Sequence, residues 1–203
     1  MKIIEPAVRL LRCTPFPEKA IEEAGRLCWK SEENIADTSY ITFIRMLLTA
    51  KHESVLEHAS AGFIITTDRG ISHELVRHRL ASYSQTSTRY CNYSSGKFGG
   101  EITVIQPSDL PTFGIQREAW VLACHEAERF YMEMLDAGCK PQVARSVLPT
   151  CLATEIAMTA NFREWRHFLT QRLSPSAHPD MRVIAEMIRD HLKEITPIVF
   201  EEF

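Results

Sequence analysis

Between Leu75 and Gly100 the chain contains no aspartate or glutamate, although the protein as a whole has a formal net charge of -3. Other absences narrow the field further. The six cysteines, Cys13, Cys28, Cys91, Cys124, Cys139 and Cys151, form no Cys-x-x-Cys pair, which removes the main support for a zinc ribbon or a thioredoxin-like redox centre. Free buried thiols in a reducing compartment are expected instead. No apolar run approaches the ~18 residues that span a bilayer, and Met1-Lys2-Ile3-Ile4-Glu5 does not begin a signal peptide. A cytoplasmic protein with no membrane partner follows as an expectation. A pI near 6.2 argues against an extended basic face, hence against a nucleic-acid partner. No Gly-x-Gly-x-x-Gly follows a strand-like segment, so a dinucleotide would not be held in the Rossmann manner. No Gly-x-Ser-x-Gly elbow is present either, which leaves a serine-hydrolase reading little support.

What the chain does contain is enough apolar residue to fold: 203 residues at 45% hydrophobic composition, without repeats or low-complexity linkers. One domain over residues 1–203 is expected. Pro17 opens a helical pattern with Ala20, Ile21, Ala24, Leu27 and Cys28 on one face. A second helix is predicted over 39–51, with Ile41, Ile44 and Leu48 inward. Residues 59–67 are rich in β-branched types and read as a strand, followed by a helix from Ile71 to about Leu80. The strongest helical period runs from Gln116 to Ala137, with Gly138 as its stop, and a short helix is predicted from Pro141 to Leu148. A second strand over 152–159, a helix capped by Asn161 and running to Leu173, and a last helix over 179–193 complete the pattern. Without a βαβ rhythm, the expected class is α+β: mixed helices around a mainly antiparallel sheet.

The acid-free window holds the chemistry. Arg77 and Arg79, if helical, stand roughly 200° apart at ~100° per residue, and so would serve different ligands, different ends of one ligand, or sites shared between subunits. Ser82, Ser84, Gln85, Thr86, Ser87, Thr88 and Arg89 then form a run of donors that suits a phosphate. Arg145 and the set Asn161, Arg163, His167 and Arg172 would add a second cationic wall, Arg163 and His167 being neighbours on a helix. Two readings besides an enzyme remain open at this point: a nucleotide-binding regulatory protein using the same loop, and a metal-dependent hydrolase built on His52, His58 and His78. His73 and His78 are five apart, about 140° out of the alignment a zincin helix needs.

Arg77-His78-Arg79, seven residues and then Ser87 resembles the Arg-His-Arg-x7-Ser signature of the flavin-dependent thymidylate synthases. The likeness extends to Lys51 through His58, to Ser87-Thr88-Arg89-Tyr90, to Val143-Ala144-Arg145 with Leu148-Pro149, and to Asn161-Phe162-Arg163 with Arg172. It implies an α+β homotetramer with a non-Rossmann FAD site, in which several subunits contribute to each active centre. It also implies transfer of the methylene group of methylenetetrahydrofolate to C5 of dUMP, with reduced FAD as hydride donor and NADPH regenerating the flavin. By position, His52, Ser54, Arg77, His78, Arg79, Gln85, Asn161, Arg163 and His167 would line the flavin site. Glu74, Arg77, Gln85, Thr86, Ser87, Thr88, Arg89, Arg145 and Arg172 would surround dUMP, with Arg172 and Ser87 in the catalytic set.

Three positions depart from the pattern: Glu74 stands where several relatives carry Gln, Gln85 where some carry Glu, and His167 where some carry Asn. An ionised Glu74 accepts but does not donate. Arg172 matches the arginine that would favour an ionised N3 of uracil. Ser87 is expected to position substrate rather than attack it, because the flavin carries the redox work and no activating base is evident in the sequence.

Overall fold

The computed structural model describes residues 1–96 and 99–203. Four strands, β2 (Ala7–Cys13), β3 (Ser60–Asp68), β4 (Ala81–Gln85) and β6 (Ala153–Asn161), pair in the order β2-β3-β6-β4. Chain ends fix the sense of each pairing. Thr14 N–H, at the end of β2, donates to Ser60 O at the start of β3 (2.9 Å), and Phe162 N–H, after β6, donates to Ala59 O (2.9 Å). Thr86 N–H, after β4, donates to Glu155 O near the start of β6 (2.9 Å). All three ladders are therefore antiparallel, and the α+β class stands. Inward alternation of Thr154, Ile156, Met158 and Ala160 along β6 is the period-two burial of a covered strand.

The chain divides into two compact units. The first comprises Met1–Ala7, Thr66–Arg77 and Ser84–Ile156. Its core gathers Tyr131 and Cys124 from α4 (Ile115–Asp136) with Ile102, Val104, Leu152 and Ala144. Here β1 (Lys2–Ile4) lies parallel to β5 (Thr103–Ile105). The amino-terminal ammonium is held by Glu101 at 2.9 Å and Glu128 at 3.0 Å. Asp68 caps the short helix α3 (Arg69–Leu75), accepting from Ile71 N–H at 2.8 Å. Helix α5 (Pro141–Ala144) begins on its proline.

The second unit comprises Val8–Ile65, His78–Tyr83 and Ala157–Phe203. Phe63, Trp165 and Phe168 pack edge to face, and the Trp165 indole donates to Ala61 O at 3.0 Å. Gly25 in α1 (Pro17–Leu27) lies against α2 (Ser39–Thr49) so closely that a Cβ would fall 2.6 Å from a Phe43 ring carbon. Helix α6 (Phe162–Arg172) starts on Asn161, whose side chain accepts from Glu164 N–H at 2.9 Å, and α7 (Pro179–Ile195) starts on a proline.

Several expectations need correction. Helix α3 stops at Leu75 rather than near Leu80, so Arg77 and Arg79 are not on a helix and the 200° offset does not describe them. The chain instead turns into β4, and the Tyr83 hydroxyl holds the turn by donating to His78 O at 2.7 Å. On α1 the inward face is Glu18, Ile21, Glu22 and Gly25, while Leu27 and Cys28 are exposed. Two carboxylates occupy that face because each is partnered, Glu18 by Ile198 N–H (2.8 Å) and Glu22 by Arg26 (2.9 Å). On α2, Ile44 is buried as expected, but Phe43 and Leu47 complete the face. The six thiols are free, yet only Cys124 is buried. No helix among the described residues is long and apolar enough to cross a membrane.

Candidate active site

The residues singled out from the sequence sort between the two units in an ordered way. Glu74, Arg77, Gln85, Thr86, Ser87, Thr88, Arg89 and Arg145 belong to the first unit. His52, Ser54, His78, Arg79, Asn161, Arg163, His167 and Arg172 belong to the second. Nearly all the expected nucleotide contacts thus fall in one unit, and nearly all the expected flavin contacts in the other.

Of two cavities, of about 720 and 520 Å³, the smaller lies in the first unit and is lined by Thr88, Arg145, Arg69, His73 and Ser146. The larger cavity belongs to the second unit. No carboxylate lines the smaller one, while two guanidiniums and an imidazole do. That donor set matches a phosphate dianion. Arg145 Nη1 donates to Thr88 Oγ1 at 3.1 Å, which presets the guanidinium beside a buried hydroxyl. Arg69 and His73 were not anticipated from the sequence. They sit on α3, before the hydroxyl-rich window, and their only signal was that a short helix carries them one turn apart.

The loop after β4 is shaped by its own hydrogen bonds. Thr86 N–H is used in the sheet by Glu155 O at 2.9 Å, so that amide is already committed. Gln85 Nε2 donates to Ser72 Oγ at 2.8 Å and Thr154 Oγ1 at 3.2 Å, which anchors β4 to α3 and β6. The Ser87 carbonyl accepts from Tyr90 and Cys91 N–H (3.1 and 3.0 Å), and its hydroxyl accepts from Arg89 N–H at 3.3 Å. These contacts make Ser87 the start of a tight turn that aims the exposed Arg89. Glu74 is half-buried and Arg77 exposed.

In the second unit the 720 Å³ cavity is lined by Asn161, Arg163, His167, Arg166, Thr170 and Leu80, together with Glu53, Glu57, Glu164 and Glu202. Arg163 Nη1 lies 2.6 Å from Glu57 Oε1. Arg166 is buried, donating to Val199 O at 2.6 Å and pairing with Glu202 at 2.5 Å, while its Nε finds no partner among the described residues. His52, Ser54 and Arg79 are exposed and do not line this cavity.

Behind the cavity wall lies His78, 4% exposed. Its Nδ1 is 3.3 Å from Glu164 Oε1, and its Nε2 accepts from Arg172 Nε at 3.0 Å. Burial, then the Arg172 and His167 charges, lower its pKa to about 4, so the ring is neutral near pH 7. Burial raises the Glu164 carboxyl above the usual range and pushes the Tyr83 phenol up to about 12. Ligand atoms of His78, Glu164 and His167 lie within 4.8 Å of one another, the spacing of a metal site. Both His78 nitrogens are already engaged, however, and one of them by a cation. The metal reading built on His52, His58 and His78 loses its basis, since His52 and His58 are exposed and outside that grouping.

Residues 9–198 match the family described as thymidylate synthase complementing protein, and the chain belongs to that family. Among curated relatives it is 34% identical over 203 residues to a flavin-dependent thymidylate synthase of Geobacter sulfurreducens, covering 96% of this chain and 85% of that one. It is 35% identical over 195 residues to a flavin-dependent thymidylate synthase of Mycolicibacterium gilvum, covering 90% and 78%. The UMP/dUMP methylase PolB from Streptomyces cacaoi, solved with 5-Br dUMP, shares the fold at a TM-score of 0.82 and 23% identity, covering 99% of this chain and 96% of that one.

Two donors lining the second unit's cavity, Arg163 and His167, suit a diphosphate, but Glu53, Glu57, Glu164 and Glu202 line the same cavity and Glu57 already holds Arg163.

Proposed function

We propose that the protein is a flavin-dependent thymidylate synthase, methylating dUMP to dTMP with 5,10-methylenetetrahydrofolate as carbon donor, FAD as hydride carrier and NADPH as the reductant that recharges it. The observation that carries this reading is the carboxylate-free cavity of Arg69, His73, Thr88 and Arg145, which occurs in a chain whose relatives are named for this activity.

Arg145 and Arg89 hold the nucleotide phosphate, Arg145 preset by Thr88 and Arg89 aimed by the Ser87 turn. Ser87 binds and positions; its hydroxyl already accepts the Arg89 amide, and among the described residues no histidine or carboxylate is hydrogen-bonded to it as a base. Arg172 bears on the uracil ring, where a guanidinium favours the N3-deprotonated form and so raises electron density at C5. Asn161, Arg163 and His167 hold the flavin from the cavity of the second unit, in a site without a Rossmann motif. When bound, the flavin supplies the hydride that completes the methyl group.

The chain acts as one functional domain, in the cytoplasm, and assembles as a homotetramer. Support for assembly comes from α4, where Ile115, Leu122 and Phe130 are 81%, 64% and 47% exposed at spacings that keep them on one side of the helix. Purified protein tests the reading against its rivals. A yellow protein that binds dUMP supports the synthase, whereas nucleotide binding without flavin would favour a regulatory protein. A colourless protein with stoichiometric zinc would sink it.

A further inference from the structure

We infer that Glu164 is a positioning residue for Arg172, acting through His78: it holds the imidazole proton on Nδ1 and so leaves Nε2 bare to accept and fix the guanidinium. The inference rests on the proposed synthase activity only in giving that guanidinium a uracil to meet.

The tautomer follows from donor and acceptor identities. An arginine Nε is always a donor. At 3.0 Å from it, His78 Nε2 must therefore present its lone pair. A neutral ring carries a single proton, which is then on Nδ1, 3.3 Å from Glu164 Oε1. The opposite tautomer would set N–H against N–H at one end of the ring and a lone pair against a carboxyl oxygen at the other. Both repulsions would act at 4% and 6% exposure, where little water is present to screen them.

The surroundings leave the ring few alternatives. The Tyr83 hydroxyl fixes its backbone carbonyl at 2.7 Å, and the Phe168 ring packs across it with centroids 4.9 Å apart. The low pKa of His78 removes the doubly protonated form near neutrality. Glu164 stands three residues after the Asn161 cap, where a carboxylate commonly reaches back to the cap amide. Here it instead points across to a residue 86 positions away in sequence. The result is a three-member chain, Glu164 to His78 to Arg172, that sets the guanidinium's orientation from a carboxyl in contact with the imidazole.

The test uses protein labelled with nitrogen-15 in histidine, with the His78 signals assigned by their loss in His78→Gln. The wild type should show a protonated Nδ1 and a bare Nε2. Arg172→Ala should keep that pattern, because Glu164 sets it. Glu164→Leu combined with Arg172→Ala should move the ring toward the Nε2–H tautomer, and Glu164→Leu alone, in which Arg172 Nε still requires a bare Nε2, should lower kcat on the order of 10–100-fold, the usual scale for loss of an orienting partner. KM for dUMP should change less than about threefold. Glu164→Gln, whose amide oxygen still accepts, should keep the tautomer and most of kcat. A wild-type ring protonated on Nε2, a double variant with unchanged tautomer, or a Glu164→Leu protein with unchanged kcat overturns the inference. If Glu164→Leu does not fold, the wild-type and Arg172→Ala spectra decide alone. A wild type with the Nδ1–H ring but no activity on dUMP would overturn the functional reading and support the relay, so the two failures are read separately.

Discussion

Arg163 donates from Nη1 to Glu57 Oε1 at 2.6 Å, a contact between two exposed side chains that sets a carboxylate against any anion approaching Arg163. On the proposed function, Glu57 competes with the flavin diphosphate for Arg163. Glu57→Gln should tighten flavin binding by about fivefold or less, the scale of an exposed ion pair, and reduce its salt dependence. Arg163→Ala should weaken it. Fluorescence titration of flavin at two ionic strengths reads both; looser binding in Glu57→Gln would show that the carboxylate supports the site.

Arg145 and Thr88 form a preset pair on the nucleotide side. Removing a charge-assisted phosphate contact costs roughly 1.5–3 kcal/mol, about a 10–100-fold rise in KM for dUMP in Arg145→Ala. Thr88→Val should raise KM less, since it frees the guanidinium without removing it. Steady-state kinetics against dUMP check the order, and equal KM values for wild type and Arg145→Ala would place the phosphate elsewhere.

Ser87 and Arg172 should separate cleanly. Ser87→Ala loses one hydroxyl acceptor in a turn that backbone bonds still hold, so dTMP formation should fall without vanishing. Arg172→Ala should lose most turnover. Complete loss in Ser87→Ala with dUMP and FAD still bound would make the serine a nucleophile after all, and near-normal turnover in Arg172→Ala would remove that arginine from the chemistry.

The depressed His78 pKa carries a pH signature. An unfolded histidine takes its proton near pH 6.5, the folded one only near pH 4, so the unfolded state binds more protons between those values. The contribution of His78 is therefore fully present above pH 6.5 and is lost as pH falls, at most about 1.4 kcal/mol per unit. Glu164 and Glu18, with raised pKa values, act in the opposite sense and lose their contribution as pH rises. Urea unfolding at pH 7, 6 and 5 isolates the histidine: stability should drop more steeply in the wild type than in His78→Gln. Parallel slopes would mean the buried ring charges without cost.

On α4, Leu122→Glu should shift the assembly toward smaller species in sedimentation, because a carboxylate replaces the centre of an exposed apolar side. An unchanged tetramer would place the subunit contact on another surface.

The elements legible in the sequence were those whose signal is local. The Asn161 cap, the Gly138 stop and the alternation of β6 each lie within one turn or one strand. The amino-terminal strands were not legible. Ala7–Cys13 reads Ala-Val-Arg-Leu-Leu-Arg-Cys and is mostly exposed, so it has no period to detect, and β1 and β5 are three residues each. The short α3 was overextended because nothing local marks its end; the Tyr83 hydroxyl that secures the next turn comes from the following strand. The signature residues were found through their spacing, but their partners were not. Glu164 looks like an ordinary acidic residue in a first helical turn until His78 is brought against it, and Arg69 like a charge at a helix start until Arg145 lines the same cavity.

One anaerobic assay tests the proposed function most directly: flavin-loaded protein supplied with dUMP, methylenetetrahydrofolate and NADPH, with the nucleotide product identified. Formation of dTMP dependent on both flavin and NADPH is the predicted result. Folded, flavin-loaded protein that binds dUMP and returns it unmethylated would contradict the proposed function.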